Sequence, residues 1–490
     1  MLKKDQKKTP LLEAMKAYAN ENIAVFDVPG HKRGKGIPIL NDHYGPSLMA
    51  MDTNASPKLD NVAHPTGVIK EAQELLADAY HADEAFFITN GSTSAIHAML
   101  MSTLSPGDKI LMPTNIHKSA LNGLILCGGV PVYVKPEVCQ IEGLTKNVSP
   151  ESIQKKLDGQ PDIKAVFLLN PTYFGYVTDL KRIADIARRR NVLLLTDEAH
   201  GAHLPFHPAL PASSMNCGAD ISCISMHKTG GALTQASALL VRRDRVDVSR
   251  VQQVINLLQS TSVSYLLMGS IDGARYHLTQ NGQIQLDNVL KLSHQARQAL
   301  NDIPGISVAY ENNFYDPTKL NINVSKLSLT GFQVYEQLWK TYHIQMELCE
   351  TNHVLAILSL GDSEQDILRL IEAMKEIATN YPAETQPIDA LLPFTLEEPT
   401  FVLTPREAYF SEKEIVPLSM ANGRISGESI MAYPPGIPIV SPGERITNHI
   451  LDVLNDLKKK EAFIVDQFDP LLEKVLVVKQ PETQGVESHA

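Results

Sequence analysis

Between residues 66 and 224 the chain switches repeatedly between two hydrophobic patterns. Short apolar runs recur: "AFFIT" (85–89), "KILMP" (109–113), "VPVYV" (130–134), "KAVFLLN" (164–170), "VLLLTDE" (192–198) and "DISCI" (220–224). Among them lie segments with helical spacing: "GVIKEAQELLADAY" (67–80), "SAIHAMLMSTL" (94–104), "KSALNGLILC" (118–127) and "LKRIADIARRR" (180–190). Strands that are apolar on both sides must be covered on both faces, and returning helices supply the cover. The pattern predicts an α/β fold with a mostly parallel sheet. It also predicts where a ligand sits, because such sheets bind beyond the carboxyl ends of their strands.

The residues just after the runs are polar. Asn90-Gly91-Ser92-Thr93-Ser94 follows the first run, and Thr114-Asn115-Ile116-His117-Lys118 follows the second. Pro171-Thr172-Tyr173 follows "KAVFLLN", Asp197-Glu198-Ala199-His200 ends or follows "VLLLTDE", and Ser225-Met226-His227-Lys228 follows "DISCI". Five clusters are thus expected at one edge of one sheet.

The rest of the chain divides around this unit, since 490 residues exceed a single core. Residues 1–65, rich in Pro, Gly and Asp, read as an N-terminal arm, and 66–300 as the large domain. Residues 301–380 read as a smaller α/β domain, with apolar runs at 319–325 and 353–360 and helices at 331–340 and 363–378. Residues 381–490 read as a C-terminal domain that opens with linker-like sequence, has an amphipathic helix at 445–463 and ends in a disordered tail from 479. A net charge of −11 opposes a nucleic-acid surface. No run of about 18 apolar residues exists, so no membrane helix is expected. The basic start "MLKKDQKKTP" lacks an apolar signal core behind it. Five scattered cysteines without a C-x-x-C read as reduced thiols of a cytoplasmic protein.

The stretch "SMHKTGG" (225–231) sets Lys228 in apolar surroundings. A lysine there either extends its ammonium to water or is desolvated. Desolvation favours the neutral amine, which attacks carbonyls. The partner that fits is the aldehyde of pyridoxal phosphate, which needs a lysine, a carboxylate for its pyridine nitrogen and a phosphate cradle. Gly91, Ser92 and Thr93 stand between a strand and a helix, where amides and hydroxyls make either a phosphate site or an ordinary cap. Ser225 and His227 flank the lysine and can reach the same phosphate. Asp197 ends an apolar strand and can hold the pyridinium. His200 can reach the ring's phenolic oxygen, and His117 can stack on the ring. "DEAH" (197–200) spells a helicase box, but no phosphate-loop motif accompanies it. His200, His203 and His207 cluster in sequence, without a second ligand set that would argue for a metal.

Seven segments occur in order: "FDVPGHKRG", "NGSTSA", "NIHKSA", "NPTYFG", "DEAHGAH", "SMHKTGGALTQAS" and "YPPGIPIVSPGE". Together they resemble the Orn/Lys/Arg decarboxylases, pyridoxal-phosphate enzymes of the aspartate-aminotransferase fold (fold type I), from about residue 9 to about 470. The resemblance is greatest to the short bacterial branch of biosynthetic arginine decarboxylases. It implies Lys228 as the Schiff-base lysine, Asp197 as the pyridinium partner and His117 as the stacked residue. It implies Ser92, Thr93, Ser225 and His227 as phosphate ligands. It further implies a homodimer with a shared site, in which Ser262 and Ser264 of "STSVSYLL" reach the other subunit's phosphate. The "PGHK" at 29–32 leaves no room for the wing domain that builds decamers in acid-stress members.

A cationic substrate end needs carboxylates, because an unpaired buried charge costs several kcal/mol. Asp27 and Glu428 are the expected partners, with Tyr433 as a wall. The resemblance implies arginine giving agmatine in polyamine biosynthesis, with lysine and then ornithine as alternatives. The same fold also carries aminotransferases. Those usually clamp the substrate carboxylate with an arginine in the small domain, and none in 305–378 sits at an evident strand end (Arg369 lies in a helix).

Overall fold

Seven strands build the main sheet: β1 (Glu84–Ile88), β2 (Lys109–Pro113), β3 (Val130–Val134), β4 (Ile163–Leu169), β5 (Leu193–Asp197), β6 (Ile221–Ile224) and β7 (Ser237–Val241). Their spatial order is β3-β2-β4-β5-β6-β7-β1. The computed structural model describes residues 3–139, 142–308, 314–383, 398–432, 436–459, 464–465 and 467–480. The pairs among β2 to β6 are parallel, and β7 is antiparallel to both β6 and β1. The six apolar runs therefore all form strands, and β7 is an addition to that reading. The chain between β6 and β7 contains only the single turn Met226–Thr229, with no crossover helix, so it returns antiparallel.

Successive residues of each strand enter different cores. Val166 and Leu168 join Leu111, Leu194 and Leu240 on one face, while Phe167 and Leu169 join Ile110, Leu195 and Leu239 on the other. Full burial of each such side chain contributes about 1.5–3 kcal/mol, and Phe167→Ala would cost about 3–5 kcal/mol. The register lines up the functional edge. Leu169 pairs with Asp197 and Asp197 with Cys223, so Asn170, Asp197 and Ser225 stand at one end of the sheet.

The helical region after residue 248 is two helices, Val248–Leu258 and Tyr265–Asn301. The longer one serves two cores: Tyr265, Met268 and Leu278 pack under the main sheet, and Val289, Leu292 and Leu300 pack with Leu320 and Val354. The second core covers an antiparallel sheet of β8 (Lys319–Asn323), β9 (Leu348–Cys349) and β10 (His353–Ile357). At the N-terminus, a buried Arg275–Asp272 pair (2.7 Å) ties the arm to this helix. Asp272 accepts from the amides of Leu11 and Leu12, and Arg275 donates to the Gln6 carbonyl.

The C-terminal region forms two small sheets, β11 (Lys413–Pro417) with β15 (Lys474–Val478), and β12 (Ile430–Ala432) between β13 (Ile437–Val440) and β14 (Ile464–Val465). It docks on the large domain through Arg406, which donates to the carbonyls of Ile125 and Leu126 at the end of the helix Lys118–Cys127. Most of the expected linker (384–397), Tyr433 and most of the expected tail (481–490) lie outside the described residues.

Candidate active site

The carboxyl edge of the main sheet opens into a cleft of about 610 Å³, part of it open to solvent. Ser92, Asn115, His117, Thr172, Tyr173, Asp197, His200 and Lys228 contribute to its lining, and Ile437 of the C-terminal region closes one side. All five sequence clusters thus reach one cleft.

Each side chain is placed by local structure. Lys228 sits on the one-turn helix Met226–Thr229, directly after β6. Its Nζ lies 2.9 Å from Nε2 of His200 and 5.6 Å from the centre of the Tyr173 ring. Tyr173 and His200 are themselves in contact, with ring centres 4.4 Å apart. Burial pulls the Lys228 amine below its ordinary value, against the opposing pull of Asp197. Burial likewise pushes the Asp197 carboxyl up, opposed by Lys228 and by the Ala199 amide that donates to it at 3.0 Å. His200 is held well below the ordinary histidine value, first by burial and then by Lys228, so its ring is neutral.

His117 is the N-cap of the helix Lys118–Cys127, with its Nδ1 accepting from the Ser119 amide. A neutral ring accepting at Nδ1 carries its proton on Nε2. The helix Gly91–Thr103 begins at Gly91, whose φ of +75° suits glycine, and its N-cap Asn90 makes no side-chain cap bond. The Gly91 amide donates to the Gln235 carbonyl (3.0 Å), and the amides that follow it are left for another acceptor.

The fit to a phosphorylated pyridine rests on orphaned groups. Ser225 Oγ and His200 Nδ1 are buried with no hydrogen-bond partner among the described residues. A buried polar group left this way is costly unless something in the cleft bonds it. The amides that follow Gly91, the Ser92 side chain and Ser225 suit a phosphate, and the buried Asp197 suits a ring N–H. Thr93 lies on the same first turn but is exposed. Nδ1 of His227 lies 3.1 Å from the Ala236 carbonyl and carries the proton, so in the neutral ring that burial favours Nε2 is an acceptor and donates nothing to a phosphate.

The expected substrate carboxylates, Asp27 and Glu428, do not line this cleft within the chain. Asp27 is exposed in a separate depression with Tyr18, Arg33 and Asp52. Glu428 is buried, and its two oxygens accept from the amides of Phe468 (2.5 Å) and Leu476 (2.6 Å), so the carboxylate binds its own C-terminal fold. Ser262 and Ser264 do not line the cleft of their own chain, and Ser264 caps the helix Tyr265–Asn301. His203 and His207 are engaged separately, by Asp316 (3.2 Å) and Asp287 (2.8 Å).

Residues 9–313 match the family model for the Orn/Lys/Arg decarboxylase major domain, and residues 392–466 match that for its C-terminal domain. The chain belongs to the Orn/Lys/Arg decarboxylase family. It is 39% identical to an arginine decarboxylase of Halalkalibacterium halodurans over 97% of this chain and 99% of that protein. Against an arginine decarboxylase of Bacillus subtilis the identity is 40%, over 97% and 99% of the two chains. The lysine decarboxylase LdcF of Francisella novicida has the same fold, with a TM-score of 0.83 at 21% identity over 96% of this chain and 81% of that one. The fold type I assignment and its cofactor, pyridoxal phosphate, agree with the sequence reading.

Three groups near the lysine escaped the motif reading. Tyr173 was placed at the edge but given no role; a ring at a strand end after Pro171 was the available signal. Lys319 is fully buried, with its Nζ unpartnered among the described residues, and burial lowers it to about 8. Glu347 accepts a hydrogen bond from the Tyr173 hydroxyl. Neither Lys319 nor Glu347 lies in a motif, and only the tertiary fold brings the small domain to the cleft.

Proposed function

We propose that this chain decarboxylates arginine to agmatine in the cytoplasm, as a step of polyamine biosynthesis, with pyridoxal phosphate as cofactor and a homodimer as the working form. The observation that carries the reading is the convergence of Lys228, Asp197 and His200 with a free helix N-terminus at one sheet edge. The whole-length likeness to two arginine decarboxylases supports arginine over lysine and ornithine. Five free cysteines support a reducing compartment.

Pyridoxal phosphate bound here supplies the electron sink for the breaking Cα–carboxylate bond. The amides that follow Gly91, with the Ser92 and Ser225 hydroxyls, are the groups to hold its phosphate, and Asp197 is the group to hold a proton on its pyridine nitrogen. Lys228, drawn below the ordinary lysine value by burial, is the amine that would bond its aldehyde. His117 covers the ring. Lys228 and His117 are the groups that would return a proton to Cα. Ile437 and Tyr173 restrict water at the mouth.

Exposed apolar side chains on the N-terminal segment support the homodimer: Phe26 is 94% exposed and Ile39 63%. Exposed side chains of this size suit burial by a second chain. Ser262, exposed at the end of the loop before the long helix, is the group to reach the partner's phosphate. The deciding experiment measures CO2 and amine from arginine, lysine and ornithine in one buffer. A preference for arginine is expected. A preference for lysine would overturn the substrate, and a keto-acid product would overturn decarboxylation.

A further inference from the structure

Among the cleft-lining residues Asp197 is the one carboxylate, and it belongs with the ring nitrogen. A substrate with a cationic end therefore needs another acid, and neither Asp27 nor Glu428 provides it in the same chain. The small domain brings one. Glu347 is exposed just before β9, and its Oε1 accepts from the hydroxyl of Tyr173. Tyr173 spans the distance between the two groups, since its ring lies 5.6 Å from Lys228 Nζ and its far end touches Glu347. Glu347 also lines an adjoining open cavity of about 1050 Å³. The charges on that cavity are the carboxylates of Glu347, Asp362 and Asp366 against the guanidinium of Arg369, with His343 at its edge. Asp362 accepts from the Ser359 amide, Asp366 caps its own helix with Ser363, and Arg369 faces the carbonyls of Tyr342 and His343. Glu347 is thus the acid of the group that is both nearest the lysine and tied only to a neutral hydroxyl.

We infer that Glu347, oriented by the Tyr173 hydroxyl, receives the distal cation of the substrate and sets the preference for basic amino acids. This rests on the decarboxylase reading above and names a residue that selects its substrate. A planar guanidinium can take both oxygens of Glu347 by displacing or sharing the tyrosine bond, whereas an ammonium engages one. Because Glu347 stands on the small domain and Tyr173 on the large one, a bound cation also draws the two domains together over the cleft.

The test compares arginine with citrulline, a neutral near-isostere, in the holoenzyme. Glu347→Gln is expected to lower kcat/KM for arginine by roughly ten- to a hundredfold, the loss of a charge-assisted bond, chiefly through KM. Citrulline turnover should change by less than about twofold on the same scale. Tyr173→Phe removes the hydroxyl but keeps the charge, so it should preserve most of the arginine-over-citrulline preference. Agmatine binding to the holoenzyme, measured by calorimetry, should weaken in Glu347→Gln by a similar factor. Equal losses for arginine and citrulline, or unchanged agmatine affinity, would overturn the assignment and leave Glu347 as a domain tie. If the wild type releases no CO2 from any basic amino acid, the decarboxylase reading fails instead, and agmatine binding alone then decides the role of Glu347.

Discussion

Lys228 Nζ stands 2.9 Å from Nε2 of His200, and both groups are drawn toward neutrality by burial. A neutral imidazole beside the amine places no second cation in the desolvated cleft. Lys228→Ala is expected to abolish both turnover and the visible absorption of lysine-bound cofactor. Lys228→Arg should do the same, because a guanidinium keeps the charge but is no nucleophile at neutral pH. Absorption spectra of the two variants check this, and a retained band in Lys228→Ala would sink the assignment.

Asp197 closes β5 with its side chain buried and only the Ala199 amide as an observed donor. A pyridinium opposite it would be a buried ion pair, and removing one partner of such a pair costs about 3–5 kcal/mol. Asp197→Asn keeps the shape and the Ala199 bond. It is expected to weaken cofactor binding by roughly two orders of magnitude or more, and kcat with it. Fluorescence titration of the cofactor into the variant measures the first effect. An affinity equal to wild type would remove Asp197 from the pyridinium role.

Much of the main sheet was legible because its strands are apolar on both faces and end in polar clusters. Asn170, Asp197 and Ser225 could be placed at one edge from that pattern alone, before any register was known. β7 was hidden because an antiparallel return after Lys228 needs no crossover and leaves no helix signal. Glu428 misled because a carboxylate near a motif looks like a ligand, whereas its oxygens satisfy the amides of Phe468 and Leu476, which are distant in sequence. Glu347 and Lys319 come near Lys228 only through the packing of the small domain, which no local pattern encodes.

The exposed N-terminal segment and Ser262 make the working unit testable. Light scattering of the holoenzyme is expected to give a dimer, and an active monomer would refute it. Ser262→Ala should weaken cofactor binding without loss of fold, because its side chain is exposed in one chain. Ser264→Ala is a useful contrast. Its hydroxyl caps the long helix at the Leu267 amide, so it should also lower thermal stability, by about 0.5–2 kcal/mol. Unchanged cofactor affinity in the double variant would place the phosphate entirely within one chain.

Glu198, next to Asp197 but pointing into the protein, gives the clearest pH dependence. It is fully buried, accepts from the Ser214 amide (2.8 Å) and the Ser222 hydroxyl (2.9 Å), and burial pushes its carboxyl up to about 8. In the unfolded chain it titrates near 4.5. Between those values the folded protein holds a proton that the unfolded chain has lost. Stability from this group is therefore fully present below about 4.5 and falls as pH rises toward about 8, by about 1.4 kcal/mol per pH unit at most. Above about 8 both states are ionised and the contribution levels off. Glu198→Gln cannot ionise and nearly preserves shape, so it should match the wild type at low pH and become relatively more stable as pH rises from 5 to 8. Denaturant unfolding of both proteins across that range measures the difference. A constant gap between the two curves would show that Glu198 is ionised in the fold throughout.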